Sequence, residues 1–186
     1  MSSAKRLPFF RHNYFGVPGD DSEWRRIDAD WLGTSDELAL MLQSATNNTS
    51  LVLALELADH RVLLFAADAQ VGNWLSWQTL SWTLADGRKV SGPDLLKRTV
   101  FYKVGHHGSH NATLRQQGLE SMTGLKTAVV PVDEVVAKKM RWGAMPLVSL
   151  MEALASITGQ HAYRTDKPAV AREDLIVDDL FFEFKV

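Results

Sequence analysis

Two short apolar stretches, each ending at residue types that bind metal ions, constrain this sequence most. The first covers residues 61–67 and stops at Asp68, and the second covers residues 99–104 and is followed, after one glycine, by His106 and His107. Short continuous apolar runs are typical of buried strands. A carboxylate oxygen and a neutral imidazole nitrogen both suit zinc, manganese or iron. We therefore predict that two strand ends present these three side chains to a shared cleft.

The same pattern predicts how the two strands pair. If Asp68 and the histidine pair form one site, their strands must be parallel neighbours, because only then do both ends reach the same edge of the sheet. Gly105 and Gly108 bracket the histidine pair and allow a sharp turn or a positive φ that would aim the imidazoles. The alternative is local, since His-His-Gly is also typical of a surface turn and Asp after a strand of a turn or helix cap.

Composition excludes several other kinds of site. The chain has 186 residues and no cysteine, so any bound metal ion must rest on histidine and carboxylate. Its formal net charge of −2 predicts no strong non-specific binding to nucleic acid. No apolar run approaches the roughly 18 residues that span a bilayer, and the N-terminus lacks the apolar core of a signal peptide. We therefore expect no membrane attachment and a cytoplasmic protein.

Strand and helix patterns alternate along the chain, which predicts an α/β fold. Strands that are apolar on both faces also imply a sheet that is covered on both sides. The predicted elements, in order, are a helix at 34–44, a hairpin of strands at 50–57 and 61–67, a short helix at 94–98, a strand at 99–104, a helix capped by Asn111 or Thr113 and ending near 122, a strand at 126–132, a helix from Pro146, and strands at 161–165 and 180–186.

Several aromatic residues allow two interpretations. Trp74, Trp77 and Trp82 could line a substrate groove, but tryptophans near helical spacing favour a core or interface position because each buries a large area. The irregular segment 1–33 is also rich in aromatics. It could cover the core of this chain or dock on another part of a larger fold.

Four motifs carry a resemblance to a known family. Val-Gly-His-His-Gly-Ser at 104–109 resembles the last metal-ligand motif of the metallo-β-lactamase fold hydrolases, particularly the branch that includes the soluble hydrolase domain of competence-type DNA-uptake channel proteins. Residues 47–53, 63–69 and 163–166 are similar to that branch's Asn-Asn-x-Ser-Leu-Val-Leu, Leu-Leu-x-Thr-Gly-Asp-Ala and Tyr-Arg-Thr-Asp motifs. The resemblance implies the C-terminal half of an αββα metallo-β-lactamase-like sandwich.

Two departures from the family pattern affect this expectation. Ala66 and Ala67 stand where the family has Thr-Gly, so a positive φ there would be strained or absent. The family's His-x-His-x-Asp-His motif is missing, because none of the six histidines lies in such a pattern. We therefore expect an irregular segment at 1–33 and an α/β half-domain at 34–186. Its expected partners are the missing N-terminal half or a second copy of the chain.

The resemblance implies a metal-dependent hydrolase that acts on phosphodiesters or related esters. In that family a carboxylate at the position of Asp68 bridges two metal ions, and one histidine of the pair binds the second ion while the other contacts substrate or donates a proton. We expect zinc, or else manganese, to be bound by Asp68, His106 and His107, with Asp68 and His107 in catalysis; which histidine is the ligand stays open. Ser109, His110 and Asn111 either support these ligands or cap a following helix.

The alternative function is a non-catalytic scaffold or interaction domain that keeps the fold without the metal site. The alanine pair before Asp68 and the missing histidine motif support it. A two-metal site needs about five or more protein ligands. We therefore expect this chain to be inactive without the half that carries His-x-His-x-Asp-His, whichever of the two interpretations holds.

Overall fold

The computed structural model describes residue 47 and residues 49–186. Over these residues the chain is a mixed α/β structure with both parallel and antiparallel strand pairs. The strands, in chain order, are β1 (Leu53–Glu56), β2 (Val62–Phe65), β3 (Ser81–Thr83), β4 (Lys89–Ser91), β5 (Thr99–Lys103), β6 (Thr127–Val130), β7 (Ala162–Arg164), β8 (Leu175–Val177) and β9 (Phe182–Phe184). The predicted helix at 34–44 and the segment 1–33 lie outside the described residues.

Four α-helices and two short 3-10 turns accompany the strands in the described part of the chain. The helices are α1 (Val71–Trp77), α2 (Gly92–Lys97), α3 (Glu134–Lys139) and α4 (Val148–Ile157), and the 3-10 turns are His106–Gly108 and Leu119–Ser121. No helix among the described residues is long and apolar enough to cross a membrane.

A five-stranded sheet with the order β1-β2-β5-β6-β7 organises the fold. Strands β1 and β2 form the predicted antiparallel hairpin, and the pairs β2–β5, β5–β6 and β6–β7 are parallel. The connection from β2 to β5 contains α1, the β3–β4 hairpin and α2. The carboxyl ends of four neighbouring strands therefore meet at one edge of the sheet.

The main core lies on one face of this sheet. Side chains of Leu64, Tyr102 and Ala128 are in register across β2, β5 and β6 and are at most 3% exposed. Trp74 from α1 and Leu154 from α4 pack in the same core cluster with 0% exposure. Strand alternation explains this arrangement, because every second residue of each strand faces the helices.

The opposite face of the sheet is covered in part by the β8–β9 hairpin. Phe184 of β9 lies 5.4 Å from Phe101 and 5.5 Å from Tyr163, measured between ring centroids. The sequence predicted a strand here but not its partner β8, and the two strands form a separate sheet. Cover does not extend to β1, where Leu53 and Leu55 are 44% and 48% exposed. Within the described part of the chain, the sheet is therefore not covered on both faces at β1.

The predicted helix at 111–122 is also wrong. This segment consists of turns and the 3-10 turn Leu119–Ser121. Gly118 has φ −129° and ψ −94°, which is not a helical conformation. The two proposed capping residues are buried and used elsewhere: Thr113 shares a 2.8 Å hydrogen bond with the hydroxyl of Tyr102, and Asn111 contacts His106. Tertiary hydrogen bonds therefore replace the local caps.

Candidate functional site

The predicted site lies where β2 and β5 end. These strands are parallel neighbours, as the sequence predicted. In their register Phe65 lies opposite Lys103. Just beyond the strands, the backbone N–H of His106 donates to the carbonyl oxygen of Ala67 at 2.8 Å. The residue after Ala67 is Asp68, so the carboxylate and the imidazole leave the sheet from adjacent strand ends.

Three non-glycine residues at these strand ends have left-handed backbone conformations. Their φ angles are 47° at Ala67, 44° at His106 and 53° at His107. Such conformations cost about 1–3 kcal/mol each and cluster at functional sites. Ala67 therefore adopts the positive φ that the family's glycine would allow, and does so with strain. His106 and His107 share this left-handed conformation, so the backbone turns away from the direction of β5 at both residues.

The bracketing glycines have different roles. Gly108 has φ 70°, and a Cβ atom there would lie 2.9 Å from side-chain atoms of Pro146 and Val130. Gly105 has an ordinary φ of −76°, so positive φ does not explain its presence. It is required by close approach, because a Cβ atom would lie 2.9 Å from the carbonyl oxygen of Ala67.

A polar network holds the imidazole of His106. Its Nδ1 lies 3.1 Å from Oδ1 of Asn111 and 3.0 Å from Oγ of Ser109, and the Ser109 hydroxyl donates to the same Oδ1 at 2.7 Å. An amide oxygen only accepts hydrogen bonds, so these contacts place the imidazole hydrogen on Nδ1. Nε2 is then an acceptor, and it receives the side-chain amide of Asn47 at 3.2 Å.

Burial keeps this imidazole in its neutral form. It lowers the pKa of His106 from the ordinary value, and the negative charge of Asp68 and the hydrogen bond to Asn111 offset only part of that lowering. The neighbouring His107 lowers the pKa further. Neutral imidazole with a free Nε2 lone pair is the form that binds a metal ion.

His107 has a different environment on the side of β6. Its Nδ1–H donates to the carbonyl oxygen of Pro131 at 2.7 Å, and its ring is stacked on Trp142 with 6.0 Å between centroids and 19° between planes. Because a carbonyl can only accept, the neutral ring keeps an acceptor at Nε2. The structure therefore places Asp68 and His106 at adjacent strand ends and directs His107 to Pro131, which follows β6.

The remaining predicted residues divide into two groups. Ser109 and Asn111 are buried and contact the imidazole of His106, so their side chains orient that ring and cap no helix. His110 makes no such contact. Its Nε2 is buried without a hydrogen-bond partner, and burial, followed by the charge of His106, lowers its pKa.

The donor atoms near β2 and β5 suit a divalent cation in kind but are too few to complete its coordination sphere. Carboxylate and imidazole are the ligands that zinc and manganese accept. Among the described residues, however, no group of three or more His, Cys, Asp or Glu side chains could hold a metal ion. We therefore derive no reaction step through a metal ion from these residues alone.

Some residues of the site carried no sequence signal. Gln70 lies two positions after Asp68, and its side-chain amide comes within 3.4 Å of Nδ1 of His106. Pro131 contributes a backbone carbonyl to His107, which no side-chain pattern can reveal. Asn47 belongs to one of the motifs, but nothing in that motif indicates that its amide reaches an imidazole 59 residues later in the chain.

The Tyr-Arg-Thr-Asp motif joins the end of β7 to the β6–α3 connection and the start of α3 through hydrogen bonds. Arg164 donates to Glu134 at 2.9 Å and to both carboxylate oxygens of Asp166 at 2.7 and 2.9 Å. Thr165 accepts from the backbone N–H of Val132 and donates to its carbonyl oxygen, both at 2.9 Å. The motif thus supports the backbone beside His107 and does not itself contribute a metal ligand.

No protein-family model, curated protein or solved structure matches the chain.

Backbone strain at Ala67 gives a first testable expectation. Replacing Ala67 with glycine should raise the free energy of unfolding by up to about 1 kcal/mol, because the Cβ clash costs about 1–2 kcal/mol and glycine's extra freedom only about 0.5–1. The matched control is Ala66→Gly, at a residue with 0% exposure. It should lower stability by about 1–2 kcal/mol through loss of a buried methyl group and added freedom. Urea unfolding of both variants measures these changes. Equal losses of stability in the two variants would contradict backbone strain at Ala67.

Proposed function

We propose that this chain supplies part of a metal-dependent hydrolase of metallo-β-lactamase type, namely the C-terminal half of its αββα sandwich. The observation that carries the proposal is the junction of β2 and β5. Two parallel strands end side by side; Asp68 follows β2, and the partly buried His106, whose Nε2 is an acceptor, follows β5. A strained backbone at both strand ends supports a functional origin of this geometry.

In this proposal Asp68 and His106 are the metal ligands, and His106 is the ligand of the histidine pair. Asn111 and Ser109 hold the Nδ1–H tautomer, which leaves Nε2 for the cation once the amide of Asn47 moves aside. The cation would act as a Lewis acid that stabilises negative charge on the phosphodiester or related ester under attack. The other ligands would come from a partner segment that carries His-x-His-x-Asp-His.

Zinc binding tests the proposal directly. We expect calorimetric titration of the purified chain with Zn²⁺ to detect a site that Asp68→Asn and His106→Gln each weaken by at least about tenfold, because each removes a ligand. The control is His161→Gln, because His161 is partly exposed and directly precedes the amino end of β7. Equal zinc affinity in the wild-type chain, both ligand variants and the control would overturn the proposal.

The second candidate is a scaffold or interaction domain without a metal site. Two observations within the described residues favour it: no group of three metal-binding side chains is present, and β1 is an edge strand with exposed Leu53 and Leu55. Exposed apolar edges are typical of surfaces that pair with another chain. The same titration separates the candidates, since a scaffold would bind zinc no better than its Asp68→Asn variant does.

A further inference from the structure

A small cavity lies on the β6 side of His107. Its volume is about 280 Å³, and its walls come from the β6–α3 connection, helix α3, and the loop that leads to α4. Val132 and Ala137 form a buried floor, and Trp142 and Val136 form a partly exposed rim at 44% and 42% exposure. Most of the lining is apolar, so the cavity suits a ring-sized apolar group that is transferred into it from water.

A ring nitrogen of His107, which lines this cavity, can orient an occupant. His107 reaches the cavity, and its Nδ1–H is already used by the carbonyl oxygen of Pro131 at 2.7 Å. Nε2 of the neutral ring is therefore an acceptor that can receive one O–H or N–H from an occupant. Thr165 also lines the cavity, but its hydroxyl already accepts from the backbone N–H of Val132 and donates to the carbonyl oxygen of Val132.

The charges around the cavity disfavour an anionic group. None of the described residues that line it is a lysine or arginine, and its one ionisable carboxylate is Asp133. Phosphate groups are bound through arginine, lysine or clustered N–H donors. The first N–H groups of α3 offer no such cluster, because Asp133 accepts from the N–H of Val136 at 2.9 Å and Asp166 accepts from that of Glu134 at 2.9 Å.

We propose that this cavity binds a neutral aromatic ring that carries one hydrogen-bond donor. The ring packs against Trp142 and the apolar walls, and its O–H or N–H donates to Nε2 of His107. This inference rests on the proposed function: it assigns to the hydrolase an uncharged ester or amide that bears an aromatic group, and it excludes a phosphodiester from this subsite.

Binding of p-cresol to the full chain tests the assignment without metal or turnover. With NMR of the tryptophan indole and histidine ring signals, we expect a dissociation constant in the range of about 1–10 mM for this eight-atom ligand. Trp142→Ala should weaken binding at least about fivefold, because it removes the aromatic wall. The matched control is Trp82→Ala, a tryptophan of similar exposure, 43%, that does not line the cavity; it should leave binding unchanged.

Two further comparisons address the hydrogen bond and the charge. Toluene should bind about threefold to tenfold more weakly than p-cresol to the wild-type chain, and this difference should vanish in His107→Phe. Dimethyl phosphate should not bind. Equal affinity of toluene and p-cresol, no effect of Trp142→Ala, or preferential binding of dimethyl phosphate would each overturn the assignment. Because these experiments contain no metal ion, their outcome is independent of the zinc titration that tests Asp68 and His106.

Discussion

Replacing Trp74 with alanine should lower the free energy of unfolding by about 3–5 kcal/mol, the range for truncating a buried tryptophan. The side chain has 0% exposure, and its ring lies edge-on to Tyr102 with 6.0 Å between centroids. Its indole N–H donates to the carbonyl oxygen of Ala112 at 3.0 Å. Trp74 therefore joins α1 to the segment that follows His106. A domain of ordinary stability, about 5–15 kcal/mol, would lose much of it.

Two variants separate the contributions of packing and hydrogen bonding at this position. Trp74→Phe keeps much of the ring but leaves the buried carbonyl of Ala112 without its donor, which should cost about 1–3 kcal/mol for the lost bond. Trp82→Ala should change stability by less than about 1 kcal/mol, because Trp82 is 43% exposed. Urea unfolding measures all three, and a Trp74→Ala loss no larger than that of Trp82→Ala would contradict a core role.

The three tryptophans near 74–82 illustrate what periodicity can and cannot predict. The sequence favoured a core or interface position for all of them. Trp74 is in the core and Trp77 is partly buried against it, with 4.5 Å between the ring centroids. Trp82 lies in β3 of the antiparallel β3–β4 hairpin and is exposed. Helix α1 ends at Trp77, so Trp82 is not part of the core, and an interface position for it stays a prediction.

Local apolar runs with clear ends were sufficient to predict the strands of the main sheet. The hairpin of β1 and β2 and the parallel pairing of β2 with β5 are confirmed. A parallel pair needs a long crossover connection, and residues 69–98 between β2 and β5 are long enough to form one. The helix predicted from Asn111 failed because that amide is buried against His106 and does not cap a helix. A sequence pattern cannot distinguish these two uses of the same side chain.

The sequence predicted the residue types of the candidate site. It did not predict how the two histidines divide between neighbouring strand ends. Both histidines follow the same strand, and nothing in His-His-Gly indicates which one turns toward Asp68. The separation depends on φ angles of 44° and 53° at adjacent residues and on a backbone carbonyl from Pro131. These are consequences of how β5 and β6 end side by side. They become visible only when the tertiary structure is known.

Replacing Gly105 with alanine should destabilise the fold and, under the proposed function, also weaken the zinc binding that we propose for Asp68 and His106. The new Cβ atom would lie 2.9 Å from the carbonyl oxygen of Ala67 and 3.2 Å from Cβ of Ala66. That carbonyl also accepts the N–H of His106 at 2.8 Å, so relieving the clash separates the strand ends that carry Asp68 and His106. We expect a loss of about 1–3 kcal/mol, as for overpacking elsewhere in protein cores.

Gly124→Ala is the matched control for this substitution. The nearest atoms to its added Cβ are the carbonyl oxygens of Lys97 at 3.4 Å and Thr99 at 3.6 Å, which are ordinary contact distances. Because alanine reduces the freedom of the unfolded chain, this variant should be unchanged or up to about 1 kcal/mol more stable. Urea unfolding and Zn²⁺ titration are measured on both variants. If Gly105→Ala lowers stability but leaves zinc affinity equal to that of Gly124→Ala, the strand junction is structural only and Asp68 and His106 do not share a metal ion.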